Sequence, residues 1–168
     1  MLGTELHWVD GPWRGKLALA ARPRGGDWLP DEMSLWRGSG VATVVSLLEE
    51  HEERDLDLKA ERREAEKQGL KFLSFPIVDR DVPASQSKFG AMLESLHREL
   101  AHGKGVVIHC RQGIGRTGLV AACLLVSDGL RPEEALDRLK AARGVEVPET
   151  AQQRLWIKNF AGALTTAR

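Results

Sequence analysis

The sequence predicts an α/β fold, with a central, mainly parallel sheet flanked by helices, and three observations carry that prediction. Short apolar runs rich in β-branched residues, such as Val41–Leu47 and Val106–His109, alternate with stretches of helical spacing. The runs show no apolar/polar alternation, as expected of strands covered on both faces. No repeat, low-complexity tract or Pro/Gly/Ser-rich linker interrupts the alternation, so residues 1–168 are expected to form one domain around one core.

In chain order, Lys16–Ala21 is the first expected strand, ended by the turn Arg22-Pro23-Arg24-Gly25-Gly26. Pro30–Trp36 follows as a short helix and Val41–Leu47 as a buried strand. From Glu53 to Gln68 the chain is dense in Glu, Arg, Lys and Ala and stops at Gly69, which predicts one solvated helix with a glycine stop. Lys71–Val78 is the next strand, ending in Asp79-Arg80-Asp81-Val82-Pro83. Phe89, Met92, Leu93, Leu96 and Leu100 then recur at helical spacing and are assigned to the core.

After the Gly103-Lys104-Gly105 turn, Val106–His109 is short and apolar, as at the centre of a sheet, and Thr117–Ser127 is a nearly uniform apolar helix. Two helices remain. One opens at Arg131-Pro132-Glu133-Glu134 and closes at Gly144; the other begins near Pro148-Glu149-Thr150 and is expected to bury Leu155, Trp156 and Phe160.

Composition narrows the function. The 24 basic and 24 acidic residues cancel, so no global field points to nucleic acid or an anionic membrane as partner. The N-terminus lacks a signal-like apolar run, and no window reaches the roughly 18 apolar residues of a membrane span, so a cytoplasmic location is expected; a monomer is expected as well. Cys110 and Cys123 are expected to be reduced thiols.

Between the buried strand and the buried helix lies Cys110-Arg111-Gln112-Gly113-Ile114-Gly115-Arg116. A loop entering a helix N-terminus can turn several backbone N–H groups onto one anion, and Gly113 and Gly115 let it curl tightly. Arg116 can add a two-pronged guanidinium. Residues 111–116 are therefore candidate phosphate-binding residues. Cys110 stands at the centre of that cradle, where amides, helix dipole and guanidinium all favour the thiolate, a nucleophile for phosphorus. Because those groups supply the stabilisation that ions give elsewhere, no metal or other cofactor is expected.

His109-Cys110, five residues, then Arg116-Thr117 resembles the HCxxGxxR(S/T) signature of the protein tyrosine phosphatases. The wider pattern, from about Lys16 to Phe160, is similar to the small dual-specificity branch and within it to the kinase-associated phosphatases and their bacterial relatives. The resemblance implies a phosphotyrosine-phosphatase-like fold and an enzyme acting on phosphorylated proteins or peptides through a phosphocysteine. It also implies that His109 orients the loop and that Thr117 sets its hydroxyl near the Cys110 sulfur. Helix-start threonines also bond to backbone, and that reading stays open.

Phosphoryl transfer to sulfur needs an acid for the leaving oxygen. Asp79 and Asp81 both follow the carboxyl end of a predicted strand, the edge at which open α/β sheets bind ligands. The family's mobile acid loop is similar to Phe75-Pro76-Ile77-Val78-Asp79, which implies Asp79 as the acid. A late Gln-Thr-x-x-Gln stretch of the family, which helps to hold a water, is similar to Glu149-Thr150-Ala151-Gln152-Gln153, with Glu in place of the first Gln and Gln153 at the last. Cys123 sits too far down its helix to bridge to Cys110, at a rise of about 1.5 Å per residue, and is assigned to the core.

Two other readings remain beside the enzyme acting on proteins. One is a lipid or nucleotide phosphatase on the same fold, against which the absence of lysine within the loop counts. The other is a non-catalytic module that binds phosphoproteins, which would be expected to lack the Cys, the Arg or the acid.

Overall fold

A computed structural model describes residues 3–167. Five strands, β1 (His7–Val9), β2 (Leu17–Ala20), β3 (Val41–Ser46), β4 (Lys71–Ser74) and β5 (Gly105–His109), form one sheet in the order β1-β2-β5-β3-β4. The four strands from β2 to β4 in that order run parallel, and β1 pairs antiparallel at the edge beside β2. The helices are α1 (Leu29–Gly38), α2 (Glu50–Asp55), α3 (Glu61–Lys67), α4 (Gln86–Ala101), α5 (Gly115–Ser127), α6 (Pro132–Arg143) and α7 (Ala151–Ala167). Among the described residues, no helix is long and apolar enough to cross a membrane.

Side chains alternate across the pleat, and both faces are covered. Leu17, Leu19, Val106 and Ile108 face a core completed by Phe89, Leu96 and Leu100 of α4, nearly all of α5, and Leu139 and Ile157. Ala18, Ala20, Val44 and Val107 face the opposite core, with Leu29, Met33, Trp36, Leu58 and Ala65. Helix α5 has no solvated side before Ser127, as its composition requires.

Four expectations are corrected. The charged stretch 53–68 is two helices, because Leu56 and Leu58 cannot share one helical face. Leu58 enters the core at 1% exposure while Asp57 takes φ +56° to turn the chain, and the Asp57 carbonyl accepts from Gly26 N–H. Nor is the stretch simply solvated, since Glu61 and Glu64 are buried. The strand expected to reach Val78 stops at Ser74; Phe75 and Ile77 then bond to the carbonyls of Ser46 and Leu47, carrying the chain out as a loop. Leu155, expected in the core, is 57% exposed; α7 buries Gln153 and Ile157 instead, with Trp156 and Phe160 partly covered against Phe89. His7–Val9, which carried no strand prediction, pairs with β2 through only three residues, too few to show an alternating pattern.

Candidate active site

The parallel strands all end at one edge. Ala20, Ser46, Ser74 and His109 lie level there, so the loops after β2, β3, β4 and β5 converge. The β5 loop, Cys110–Ile114, curls there before α5 begins.

Its carbonyls are engaged outward. Cys110 O faces His109 Nδ1 at 3.3 Å, Arg111 O accepts from Arg22 N–H at 3.2 Å, Gln112 O from Arg143 Nη2 at 3.0 Å, and Ile114 O from Gly118 N–H at 3.0 Å. In a planar trans peptide the following N–H points away from the carbonyl, so the amides of 111, 112, 113 and 115 are turned to the opposite side. Among the described residues none of the N–H groups of 111–114 donates a hydrogen bond, and α5 has no side-chain cap. Free amides and an uncapped helix start meet at one point, the arrangement that binds an oxyanion. Gly113 has φ +73°, and a Cβ there would lie 2.5 Å from the carbonyl carbon and oxygen of Ala20, so the curl requires glycine.

A small cavity of about 60 Å³ opens over the loop, lined by Asp79, Cys110, Arg111, Gln112, Gly115, Arg116 and Glu149. Cys110 is 3% exposed. Arg116 is almost fully buried, and its guanidinium is held end-on by Glu52: Nη1 to Oε1 at 2.6 Å and Nη2 to Oε2 at 2.9 Å. Nη1 also donates to Ile77 O at 2.9 Å, and Nη2 lies 3.2 Å from Asp79 Oδ1. Nε has no partner among the described residues.

Glu52 is fastened in turn, through the capping box of α2 with Glu49 and through Arg111 Nε at 3.3 Å. Burial alone would push the Glu52 carboxyl up, but hydrogen bonds from Arg116 and the Glu49 N–H, the Arg116 charge and a hydrogen bond from Arg111 outweigh it and hold it at about 2. Burial works against the Arg116 charge in the same way, and the Glu52 hydrogen bonds and the Cys110 and Asp79 charges reverse it.

Asp79 is half-exposed at the cavity wall. Asp81 turns away from the cavity: Oδ1 accepts from Val82 N–H at 2.7 Å, and its own N–H donates to Val78 O. Gln153 is fully buried; Oε1 accepts from the Glu149 and Thr150 N–H groups at 3.1 Å each, and Nε2 donates to Asp81 O at 3.0 Å. Its amide thus fastens the Asp79 loop to the start of α7, while Glu149 lines the cavity and pairs with Arg80 at 2.5 Å. Thr117 Oγ1 is buried with no hydrogen-bond partner, neither backbone nor Cys110 Sγ. Cys123 is an unbridged core residue, and burial pushes its thiol well up. Sequence reasoning missed Glu52 and Glu61, the latter bonded to His109; both lie in a stretch that reads as surface.

Residues 19–130 match the family described as "Polymorphic toxin system, DSP-PTPase phosphatase". The chain belongs to this family. Cyclin-dependent kinase inhibitor 3 of Rattus norvegicus is 38% identical over 87 residues, 51% of this chain and 41% of the rat protein. Putative tyrosine phosphatase 197R of Invertebrate iridescent virus 6 is 31% identical over 137 residues, 79% of this chain and 49% of the viral one. The chain thus spans less than half the length of these curated relatives. Among solved structures, kinase associated phosphatase with its catalytic-site cysteine replaced by serine superposes with a TM-score of 0.87 at 23% identity, covering 96% of both chains. Tk-PTP in its active form gives 0.75 at 28% identity, covering 94% of this chain and 96% of the other. The α/β, phosphotyrosine-phosphatase-like fold expected from the sequence is therefore the one observed, apart from β1, the split helix and the shortened β4.

Proposed function

We propose that this DSP-PTPase domain hydrolyses phosphate monoesters on proteins, phosphotyrosine foremost and phosphoserine or phosphothreonine with it, through a phosphocysteine at Cys110. One observation carries the reading: a nucleophile, inward amides, a fixed guanidinium and a carboxyl group line the same small cavity. A non-catalytic binding module would not need all four. The cavity is also free of lysine, which favours a protein over a polyanionic lipid as substrate.

Phosphate oxygens would take the amides of 111–116 and the free Nε of Arg116. The Cys110 thiolate attacks phosphorus, the P–O ester bond breaks, and Asp79 gives its proton to the leaving oxygen. Asp79, now a carboxylate, accepts a proton from the water that attacks the phosphocysteine, and the P–S bond breaks to return the thiolate. The unpartnered Thr117 hydroxyl is free to donate to that sulfur as it leaves. Gln153 serves by holding the acid loop in place.

The test is hydrolysis of p-nitrophenyl phosphate, expected to proceed in the presence of a chelator and to be blocked by vanadate; dependence on a divalent metal would contradict the reading. Asp79→Asn should lower kcat about 100-fold. It should also flatten the basic limb of the pH–rate profile, because that limb records loss of the acid's proton. If Asp81→Asn has that effect and Asp79→Asn does not, the acid is Asp81. Turnover on matched phosphotyrosine and phosphothreonine peptides ranks the substrates.

A further inference from the structure

Behind the nucleophile lies a buried hydrogen-bonded pair that the reaction does not use. His109 Nε2 and Glu61 Oε1 are 2.5 Å apart, with side chains 0% and 2% exposed. The other ring nitrogen, Nδ1, faces the Cys110 carbonyl at 3.3 Å, and Trp36 packs against the ring with centroids 6.0 Å apart. Glu61 belongs to α3, from a stretch whose composition suits solvent, yet it is turned inward, and its Oε2 is buried without any partner.

A buried carboxylate with an unsatisfied oxygen costs stability, so its retention calls for a reason other than packing. Proton accounting supplies one. A carbonyl oxygen can only accept, so Nδ1 must carry a hydrogen to bond Cys110 O. With a carboxylate on Nε2, that nitrogen carries one too, and the ring is an imidazolium. It then lies directly behind the peptide group of the nucleophile. There a positive charge stabilises an anionic sulfur, and the Nδ1–H bond keeps the Cys110 carbonyl turned away from the cradle.

We propose that Glu61 is a positioning residue for the nucleophile: through His109 it fixes an imidazolium against the Cys110 carbonyl, and that charge favours the thiolate. The inference rests on Cys110 being the nucleophile. The other charged groups near the pair are Glu53 on α2, Lys59 in the turn before α3, and Arg62 on α3 itself. They line one surface pocket together with Glu61.

Glu61→Gln separates charge from shape. Its amide can donate to Nε2 of a neutral ring while Nδ1–H still bonds Cys110 O, so geometry survives and charge is lost. Alkylation of Cys110 by iodoacetamide, followed across pH by peptide mass spectrometry, should move to higher pH by about one unit, so that well below the midpoint it runs about tenfold slower. In a His109→Asn background the same substitution should change nothing further. An unshifted alkylation profile, or an equal shift with and without His109, overturns the inference. If Glu61→Gln does not fold, the imidazole ¹⁵N resonances of the unsubstituted protein decide: both ring nitrogens of His109 should be protonated at neutral pH, and a bare Nε2 overturns it. Failure of the nucleophile assignment is distinct, because Cys110 of the unsubstituted protein would then be no more reactive than a free thiol.

Discussion

Cys110→Ser should lower turnover by at least about four orders of magnitude while leaving phosphate and vanadate binding within a few-fold of the parent. The two halves of this result have different physical origins. A serine hydroxyl does not ionise near neutral pH, so the attacking anion is gone. The inward amides of 111, 112, 113 and 115 and the Arg116 guanidinium are backbone and neighbour properties that serine leaves untouched. Equilibrium dialysis with labelled phosphate, beside the rate on p-nitrophenyl phosphate, reads both. Loss of binding together with loss of rate would mean that the cradle had collapsed and would leave the chemical role of the sulfur unsupported.

Glu52→Ala should destabilise the fold by about 3–5 kcal/mol, because it strands a guanidinium that is 1% exposed with its end-on partner removed. Activity should fall with it, since the guanidinium would no longer be held under the cradle. The unsubstituted protein should show the same dependence through acid. Glu52 titrates at about 2 in the fold, against an ordinary 4.5. A depressed carboxyl stabilises the fold fully above about 4.5, and that contribution drains away as pH falls from there towards about 2. A shift of this size is worth of order 3 kcal/mol. Urea midpoints measured between pH 2 and 6 for parent and Glu52→Ala should converge at the acid end. Parallel curves would show that the Glu52–Arg116 pair is not the acid-sensitive contact.

Legibility in the sequence followed contiguity. Cys110, Gly113, Gly115 and Arg116 lie within one loop whose flanks, a buried strand and a buried helix, are themselves readable from hydropathy. Asp79 was reachable because parallel strands bring their carboxyl ends to one edge whatever their order. Glu52 and Glu61 were not reachable. Each sits among Arg, Lys and other Glu residues at spacings that satisfy a surface helix, and nothing local marks which carboxylates turn inward. Their partners, Arg116 and His109, are far away in the chain, so burial becomes visible only once β5 lies beside β3. The one local clue was Leu56 with Leu58, which does not fit a single helix and would have split 53–68 at the right place.

Gln153 illustrates the same limit from the other side. Its position in the Glu149–Gln153 stretch was legible, but its amide is engaged by the Glu149 and Thr150 N–H groups and by the Asp81 carbonyl. Those contacts depend on how closely the start of α7 approaches Gly115, where a Cβ would lie 3.0 Å from Glu149 Oε2 and 3.1 Å from Gln153 Oε1.

The most direct measurement is to stop turnover of an aryl phosphate with acid within milliseconds and to map the phosphate by peptide mass spectrometry. A phosphorylated peptide carrying the group on the sulfur at position 110, formed and lost at rates compatible with turnover, is the expected result. Phosphate on another side chain, or steady turnover with no phosphorylated enzyme at any time, would contradict the account.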